Sequence, residues 1–503
     1  MVEISFLGGV RSVTGSKFHI KSDQSRILLE CGLYQGLKEL RLRNWDSLPV
    51  DPRELDCIVI SHAHLDHCGY LPRLVKAGFS GSIHMTEDTA RLASIILLDS
   101  AKMQVEDADY ASRKGYSKHA KPQPLYDYLD AERAISLFRP HPFHTPVQIT
   151  GDARLTFLRA GHILGSSIVD LEVEGKRIIF SGDLGRPNHP ILANPDPIPD
   201  FEIAALLLES TYGDRRHQST SHELSTIINR TTSRGGSILI PAFAVDRTEV
   251  ILHRLKELMD LNEIPRLPIY VDSPMALASL EIYRNAFERK AMDIDPKIKI
   301  DGDPFDEHFY QAARSVDESK AIAKLKNPSI IVSASGMATG GRVVHHLARM
   351  LPDSRNTVIL VGYQSLGTRG RSLADGAKSL KMHGKVVKVL AEITKVGEFS
   401  VHADSREMVD WLRTVKKKPR KVFIVHGVRC WREFSKKLKP RTFLGFDYSR
   451  TWFHSPNLKS ESENCRAVDL ATFFDALAQF SLVRLSHLAI DDQASRSVPS
   501  GKT

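Results

Sequence analysis

Three histidines and an aspartate stand within SHAHLDHCGY (61–70), directly behind the apolar run Cys57-Ile58-Val59-Ile60. A structural histidine needs one neighbour and a solvated loop needs none, so neither accounts for the spacing His62-x-His64-x-Asp66-His67. The pattern asks for metal. In an extended segment, residues two apart share a face, so His62 and His64 grip one ion just past a strand end. Asp66 and His67 follow where the chain turns toward Gly69 and face a second ion beside the first. Neutral imidazole and carboxylate suit zinc and also accept manganese or iron. Two ions need more than four ligands, and isolated residues behind strand-like runs supply them: His162 in LRAGHILGSSIVDLE and Asp183 in RIIFSGDLGR. Singly, each reads as a turn residue. Together they add a third imidazole for one ion and a bridging carboxylate.

The elements that must position these residues follow from the pattern around them. VEISFLGG, SKFHIKS and SRILLECG read as short strands joined by turns, and LDCIVISH leads into the cluster. Helices are predicted over roughly 70–76 and 87–105, then a polar, Pro-containing passage near 111–126. Strands alternating with helices point to a layered α/β architecture. At 503 residues, 42% apolar and 26% charged, the chain has the composition of a globular protein of two or three domains. No run approaches the length of a membrane span and no secretory leader is recognisable, so the expected address is the cytoplasm. Five scattered cysteines without a CxxC pair indicate reduced core residues rather than disulfides or thiolate zinc sites. A net charge of +9 favours an anionic partner such as nucleic acid. The densest basic run, Lys416-Lys417-Lys418-Pro419-Arg420-Lys421, reads equally as a solvated loop or a phosphate contact.

In this order and context, the His62 to His67 cluster, His162 and Asp183 resemble the metallo-β-lactamase superfamily signature. LLLESTYGDR (206–215), VGEFSVHADSREMVDWL (396–412) and VFIVHG (422–427) are similar to the three motifs of its β-CASP branch, which includes RNase J and the pre-mRNA cleavage endonuclease. ILIPAFAVDRTE, YVDSPMA, IIVSASGMATGGRVVHHL and ILVGYQSLGTRGRSL look like the compact prokaryotic RNases of that branch. The resemblance covers roughly residues 1–428. It implies a four-layer αββα metallo-β-lactamase domain over 1–187, an inserted α/β β-CASP domain over 188–370, and a return to the first domain over 371–430. The cleft would lie between the two domains, and 431–503 would form a divergent or partly disordered tail.

The resemblance also assigns roles. His62, His64 and His162 would hold one zinc; Asp66, His67 and His426 would hold the other; Asp183 would bridge them. Ions about 3.5 to 4 Å apart share a hydroxide able to attack phosphorus at neutral pH. His402 would protonate the leaving 3′ oxygen, paired with Glu209, a neighbour that favours the charged imidazolium. Glu30 stands where the family carries aspartate, as a group orienting a ligand histidine. Phosphate contacts would come from Ser335, Gly336 and Thr368 with Arg342, Arg369 and Arg371, whereas His345, His346 and His383 read as surface or core residues. A histidine at position 426 goes with RNA enzymes of the branch. The chain departs from the family at Val428, where an acidic residue is usual. The expected function is a zinc-dependent ribonuclease acting on single-stranded RNA, with a homodimer as a plausible assembly. A small-molecule metallo-hydrolase of the glyoxalase or β-lactamase type shares the metal signature without needing Glu209 or His402, and a catalytically decayed RNA-binding subunit is the third class.

Overall fold

In the computed structural model the described residues are 1–114, 122–217, 223–298, 305, 308–325, 327–362, 364, 365, 367–397 and 399–427. The tail expected after 430, Val428, Cys430 and Cys465 lie outside them.

Alternation of apolar and polar residues in the first thirty positions builds three antiparallel strands, Glu3–Gly8, Lys17–Lys21 and Arg26–Leu29. The apolar run before the histidine cluster adds Cys57–Val59 parallel to the third strand, and Ser82–Thr86 and Phe138–His141 continue in parallel. A second six-stranded sheet faces this one, in the order Val422–Val425, Ala205–Glu209, Lys176–Phe180, Ser167–Val173, Ala153–Arg159, Val147–Gln148. Phe18, Ile20, Leu29 and Val59 of the first sheet interlock with Phe157, Leu171, Phe180 and Leu207 of the second. Each such side chain contributes about 1.5 to 3 kcal/mol by leaving water. Helices Leu71–Lys76, Glu87–Lys114 and Tyr128–Ser136 cover the outer face of the first sheet, and Ser405–Leu412 covers that of the second. The sandwich is therefore the expected αββα arrangement.

The third sheet is wholly parallel: Gln311–Ala312, Ile269–Val271, Ile330–Ser333, Ile238–Pro241, Thr357–Leu360 and Glu392–Lys395, in that order. Helices Arg247–Asp260 and Pro274–Glu288 pack on one side, with Arg342–Met350 and Arg369–Ala374 on the other. Strand pairing in the second and third sheets shifts both ends of the insert from their expected places. Ala205–Glu209 pairs with Phe180's strand and with Val422–Val425, so it belongs to the sandwich although the insert was expected from 188. Glu392–Lys395 pairs with Thr357–Leu360, so the insert runs past the expected return at 371. The long helix also exceeds its expected end near 105, reaching Lys114, because no glycine or proline interrupts 87–114. The basic run 416–421 is a surface segment in which Arg420 pairs with Glu202 and Lys416 with Asp200. Cys31, Cys57 and Cys68 are buried free thiols. Among the described residues, no helix is long and apolar enough to cross a membrane.

Membership of Ala205–Glu209 in the sandwich has a measurable consequence. Leu207→Ala, emptying a fully buried position between the two sheets, should cost about 2 to 5 kcal/mol, read as a lower urea midpoint with unchanged slope. A loss under 1 kcal/mol would place Leu207 outside that core.

Candidate metal centre and cleft

Six strands of the two facing sheets end at one edge, and the chemistry sits just beyond their carboxyl ends, where α/β sheets commonly bind ligands. Glu30 follows Arg26–Leu29, His62 follows Cys57–Val59, His162 follows Ala153–Arg159, Asp183 follows Lys176–Phe180, Glu209 ends Ala205–Glu209, and His426 follows Val422–Val425. After His62 the chain stays extended to His64 and then forms the one-turn helix Leu65–Cys68, which carries Asp66 and His67. The turn fits because Gly32 lies beneath it; a Cβ there would stand 1.6 Å from the Asp66 carbonyl oxygen.

Asp183 divides its oxygens between two sets of imidazoles. Oδ2 lies 3.5 Å from His62 Nε2 and 3.6 Å from His162 Nε2, while Oδ1 lies 3.4 Å from His67 Nε2 and 3.6 Å from His426 Nε2. His64 Nδ1 is 3.1 Å from His62 Nε2 and 3.3 Å from His162 Nε2. On the other side, Asp66 Oδ2 is 3.8 Å from His426 Nε2. His62, His64, His162 and Asp183 form one ligand group, and Asp66, His67 and His426 form another. His67 Nε2 and Asp183 Oδ1 are buried without a hydrogen-bond partner. Buried polar atoms are seldom left so, and the donor set of imidazole and carboxylate fits divalent zinc.

The outer nitrogens are pinned. Glu30 Oε2 stands 2.5 Å from His67 Nδ1, and its Oε1 accepts the Ser61 N–H at 2.7 Å. Ser61 Oγ meets His62 Nδ1 at 3.0 Å, Ser16 Oγ meets His426 Nδ1 at 2.9 Å, and the Val401 carbonyl lies 3.4 Å from His162 Nδ1. Such partners fix ring orientation. The two serines were not foreseen in the sequence; the only signal was that Ser61 abuts His62.

Burial and the other imidazoles drive His62, His67 and His162 well below the usual histidine range, and burial holds His64 at about 3 and His426 at about 4. Burial lifts Asp66 to about 6 and, with the neighbouring Glu209, Asp66 and Glu30 carboxyls, raises Asp183 well above its ordinary value. Glu209 is buried too, yet His402, His426 and the Thr211 N–H outweigh that burial and hold its carboxyl low. Its Oε1 lies 3.3 Å from His402 Nδ1 and accepts the Leu184 N–H at 2.7 Å. His402 is partly exposed, and its ring centre lies 4.4 Å from that of His162. All of this opens into a cleft of about 840 Å³ between sandwich and insert, lined by Tyr34, Tyr212, Phe243, Met337 and Arg247 among others.

Matches to known families follow the same order along the chain. Residues 18–214 match the metallo-beta-lactamase superfamily, 248–373 the Beta-Casp domain, and 386–442 a Zn-dependent metallo-hydrolase RNA specificity domain. A Thermus thermophilus protein named a ribonuclease is 34% identical over 425 residues, 84% of this chain and 92% of that protein. The chain belongs to the β-CASP branch of the metallo-β-lactamase superfamily. An RNase J-like protein of Methanocaldococcus jannaschii is 31% identical, across 85% of this chain and 93% of its own length. The transcription termination factor FttA of the same organism is 29% identical, and the match spans 85% of this chain and 67% of FttA. A crystal structure of an Enterococcus faecalis protein of unknown function has the same fold, with a TM-score of 0.50 at 12% identity over 86% of this chain and 95% of that one.

The β-CASP cleft sorts the residues expected to meet phosphate. Ser335, Thr368 and Arg369 line it. Thr368 also caps the helix it precedes, accepting the Arg371 N–H at 3.1 Å, and Arg369 donates to the Thr339 carbonyl at 2.8 Å. Gly336 packs against Phe243, where a Cβ would come within 2.9 Å of backbone nitrogen. Arg342 and Arg371 do not line the cleft, because nearer carboxylates take them: Asp272 at 2.7 Å and Asp375 at 2.8 Å. His346 is a core residue, bonded to the same Asp272 at 2.6 Å.

These protonation states make two predictions. With Asp66 raised to about 6 and Asp183 raised well above its ordinary value by burial, metal uptake near pH 6 should release protons from carboxyls; calorimetry in buffers of different ionisation heat should record net release. A carboxyl raised to about 6 takes up its proton as pH falls through that value, so acid should weaken the site of Asp66, His67 and His426, read by native mass spectrometry. Glu30→Gln removes the carboxyl partner of His67 and should weaken metal binding about 10- to 100-fold with folding retained; unchanged affinity would deny Glu30 that role.

Proposed function

We propose that this β-CASP protein is a zinc-dependent ribonuclease that hydrolyses phosphodiester bonds of single-stranded RNA in the cytoplasm. The observation that carries the reading is the partition of Asp183: one oxygen toward the three-histidine set, the other toward Asp66, His67 and His426. His62, His64 and His162 would hold one zinc, and Asp66, His67 and His426 the second, with Asp183 between them; manganese or iron suits the same ligands. Such a pair, when bound, lowers the pKa of water and neutralises charge developing on the phosphate.

The rest falls to the chain's own side chains. His402 stands at the open side of the centre and gives its proton to the leaving 3′ oxygen. Glu209 is the positioning group, buried behind the ring and held by the Leu184 and Thr211 N–H groups, so His402 is aimed rather than free to rotate. Ser335 and Thr368 contribute hydroxyls and Arg369 charge for the phosphate chain along the insert wall. Apolar and aromatic lining, with Phe243 at 6.5 Å from His64, favours stacked bases over a small polar substrate. RNA rather than DNA is supported by His426 and by the ribonuclease and RNase J-like names of the relatives.

The test is cleavage of matched single-stranded RNA and DNA, labelled at either end, by the zinc-loaded chain. RNA alone should be cut, and Asp66→Ala should abolish cutting. His402→Ala should lose about 10² to 10⁴ in turnover while both ions stay bound; loss of metal in proportion to activity would make His402 a ligand instead. A zinc-replete chain that cuts neither strand would point to the small-molecule hydrolase or the decayed binder.

A further inference from the structure

The wall of the cleft contains a cation that the scheme above leaves unused. Arg247 opens the helix Arg247–Asp260 and lines the cleft together with His64, Asp66, Asp183, Tyr212 and His402. It is only 6% exposed, and its Nε and Nη1 are buried without hydrogen-bond partners. Among the described residues no carboxylate pairs with it. Asp246, the adjacent carboxylate, favours the cation by its charge but does not bond it: it accepts the Tyr283 hydroxyl at 2.9 Å and faces His189 Nε2 at 3.2 Å. Glu249, two positions on, is buried with no hydrogen bond from its carboxyl oxygens to Arg247. Arg186, another cation close by, is paired with Glu407 at 3.3 Å.

A buried, unpaired guanidinium is costly, and an anion entering the cleft completes it. The planar fork of arginine matches two oxygens of one phosphate, which a lysine ammonium does not. The N-terminal end of the 14-residue helix adds partial positive charge at the same place.

We propose that Arg247 is the phosphate clamp of this cleft, its guanidinium taking the non-bridging oxygens of the phosphodiester presented to the metal-ligand cluster. The assignment rests on the ribonuclease reading for its substrate, and on the unpaired buried charge for its existence. It makes Arg247 a specificity device as well: a neutral ester or lactam would leave the guanidinium unpaired and be disfavoured. The clamp also gives the insert a direct hand in the reaction, since Arg247 belongs to the β-CASP domain whereas the ligand set belongs to the sandwich.

The test compares wild type with R247Q and R247K, as full chains loaded with zinc. R247Q should lose about 10² to 10³ in kcat/KM on single-stranded RNA, with R247K recovering part of it. Metal content should not change, and the melting temperature should hold or rise, because the variant removes an unpaired buried charge; a purely structural arginine would lower it. For metal-free protein, the slope of log K for RNA against log salt should flatten by about 0.7 in R247Q, the value for one single-strand phosphate contact. Full activity with an unchanged slope, or metal and folding lost in step with activity, would overturn the clamp while leaving the ribonuclease reading intact. If wild type cuts no RNA, that reading fails by itself, and calorimetry with inorganic phosphate decides the clamp separately: weaker binding to R247Q supports it, equal binding overturns it.

Discussion

A carboxylate buried among imidazoles is the constraint on which the rest of the molecule depends. Asp183 is 2% exposed, has no protein hydrogen-bond donor on Oδ1, and faces four imidazoles from two directions. Such an arrangement holds only if each ring is prevented from turning away, and the fold supplies that restraint atom by atom. Glu30, Ser61, Ser16 and the Val401 carbonyl occupy the outer nitrogens. One of these partners and one of the rings carry left-handed backbone, Glu30 at φ 66° and His426 at φ 52°, a conformation that residues other than glycine adopt at a cost and that gathers at functional sites. The longer side chain of Glu30 relative to the family's aspartate is accommodated here: both oxygens reach their partners.

The sandwich and the insert divide the work. Interlocked apolar faces fix the edge where the ligand-bearing strands end, and that edge tolerates little movement because interiors are close-packed. The insert contributes the opposite wall, which carries hydroxyls, an aromatic ring and arginines: Ser335, Thr368, Phe243, Arg247 and Arg369. Phe243 joins the two, packing on Gly336 and standing over His64.

How much of this was legible in the sequence depended on whether the information was local. The spacing of His62, His64, Asp66 and His67 encodes its own geometry, since a strand end and one helical turn set those four positions. His162, Asp183 and His426 are single residues after apolar strands, ambiguous alone and decisive only as a set. Glu209 and His402 came through resemblance, 193 positions apart and meeting only because their segments lie side by side at the sheet edge. The domain boundaries were misread because strand partners are long-range: nothing within ALLLE says that it pairs with VFIV more than two hundred residues later. Arg342 and Arg371 were expected at phosphate and stand beside carboxylates instead, Asp272 and Asp375, pairings that their local sequence does not announce. Arg247 was overlooked for the converse reason. In AFAVDRTEV it looks like an ordinary helix start, and lack of a partner is a property no sequence displays.

The bond between Ser16 and His426 spans 410 positions, and the backbone N–H of His426 is held by the Gly9 carbonyl. The last ligand thus docks onto the first hairpin only after everything between has been made. A chain emerging from the ribosome carries an incomplete centre until it has been extended past residue 426, however early the first sheet folds. Order of synthesis therefore acts as a delay: the group of His62, His64, His162 and Asp183 is complete in sequence by residue 183, whereas that of Asp66, His67 and His426 waits for the last strand.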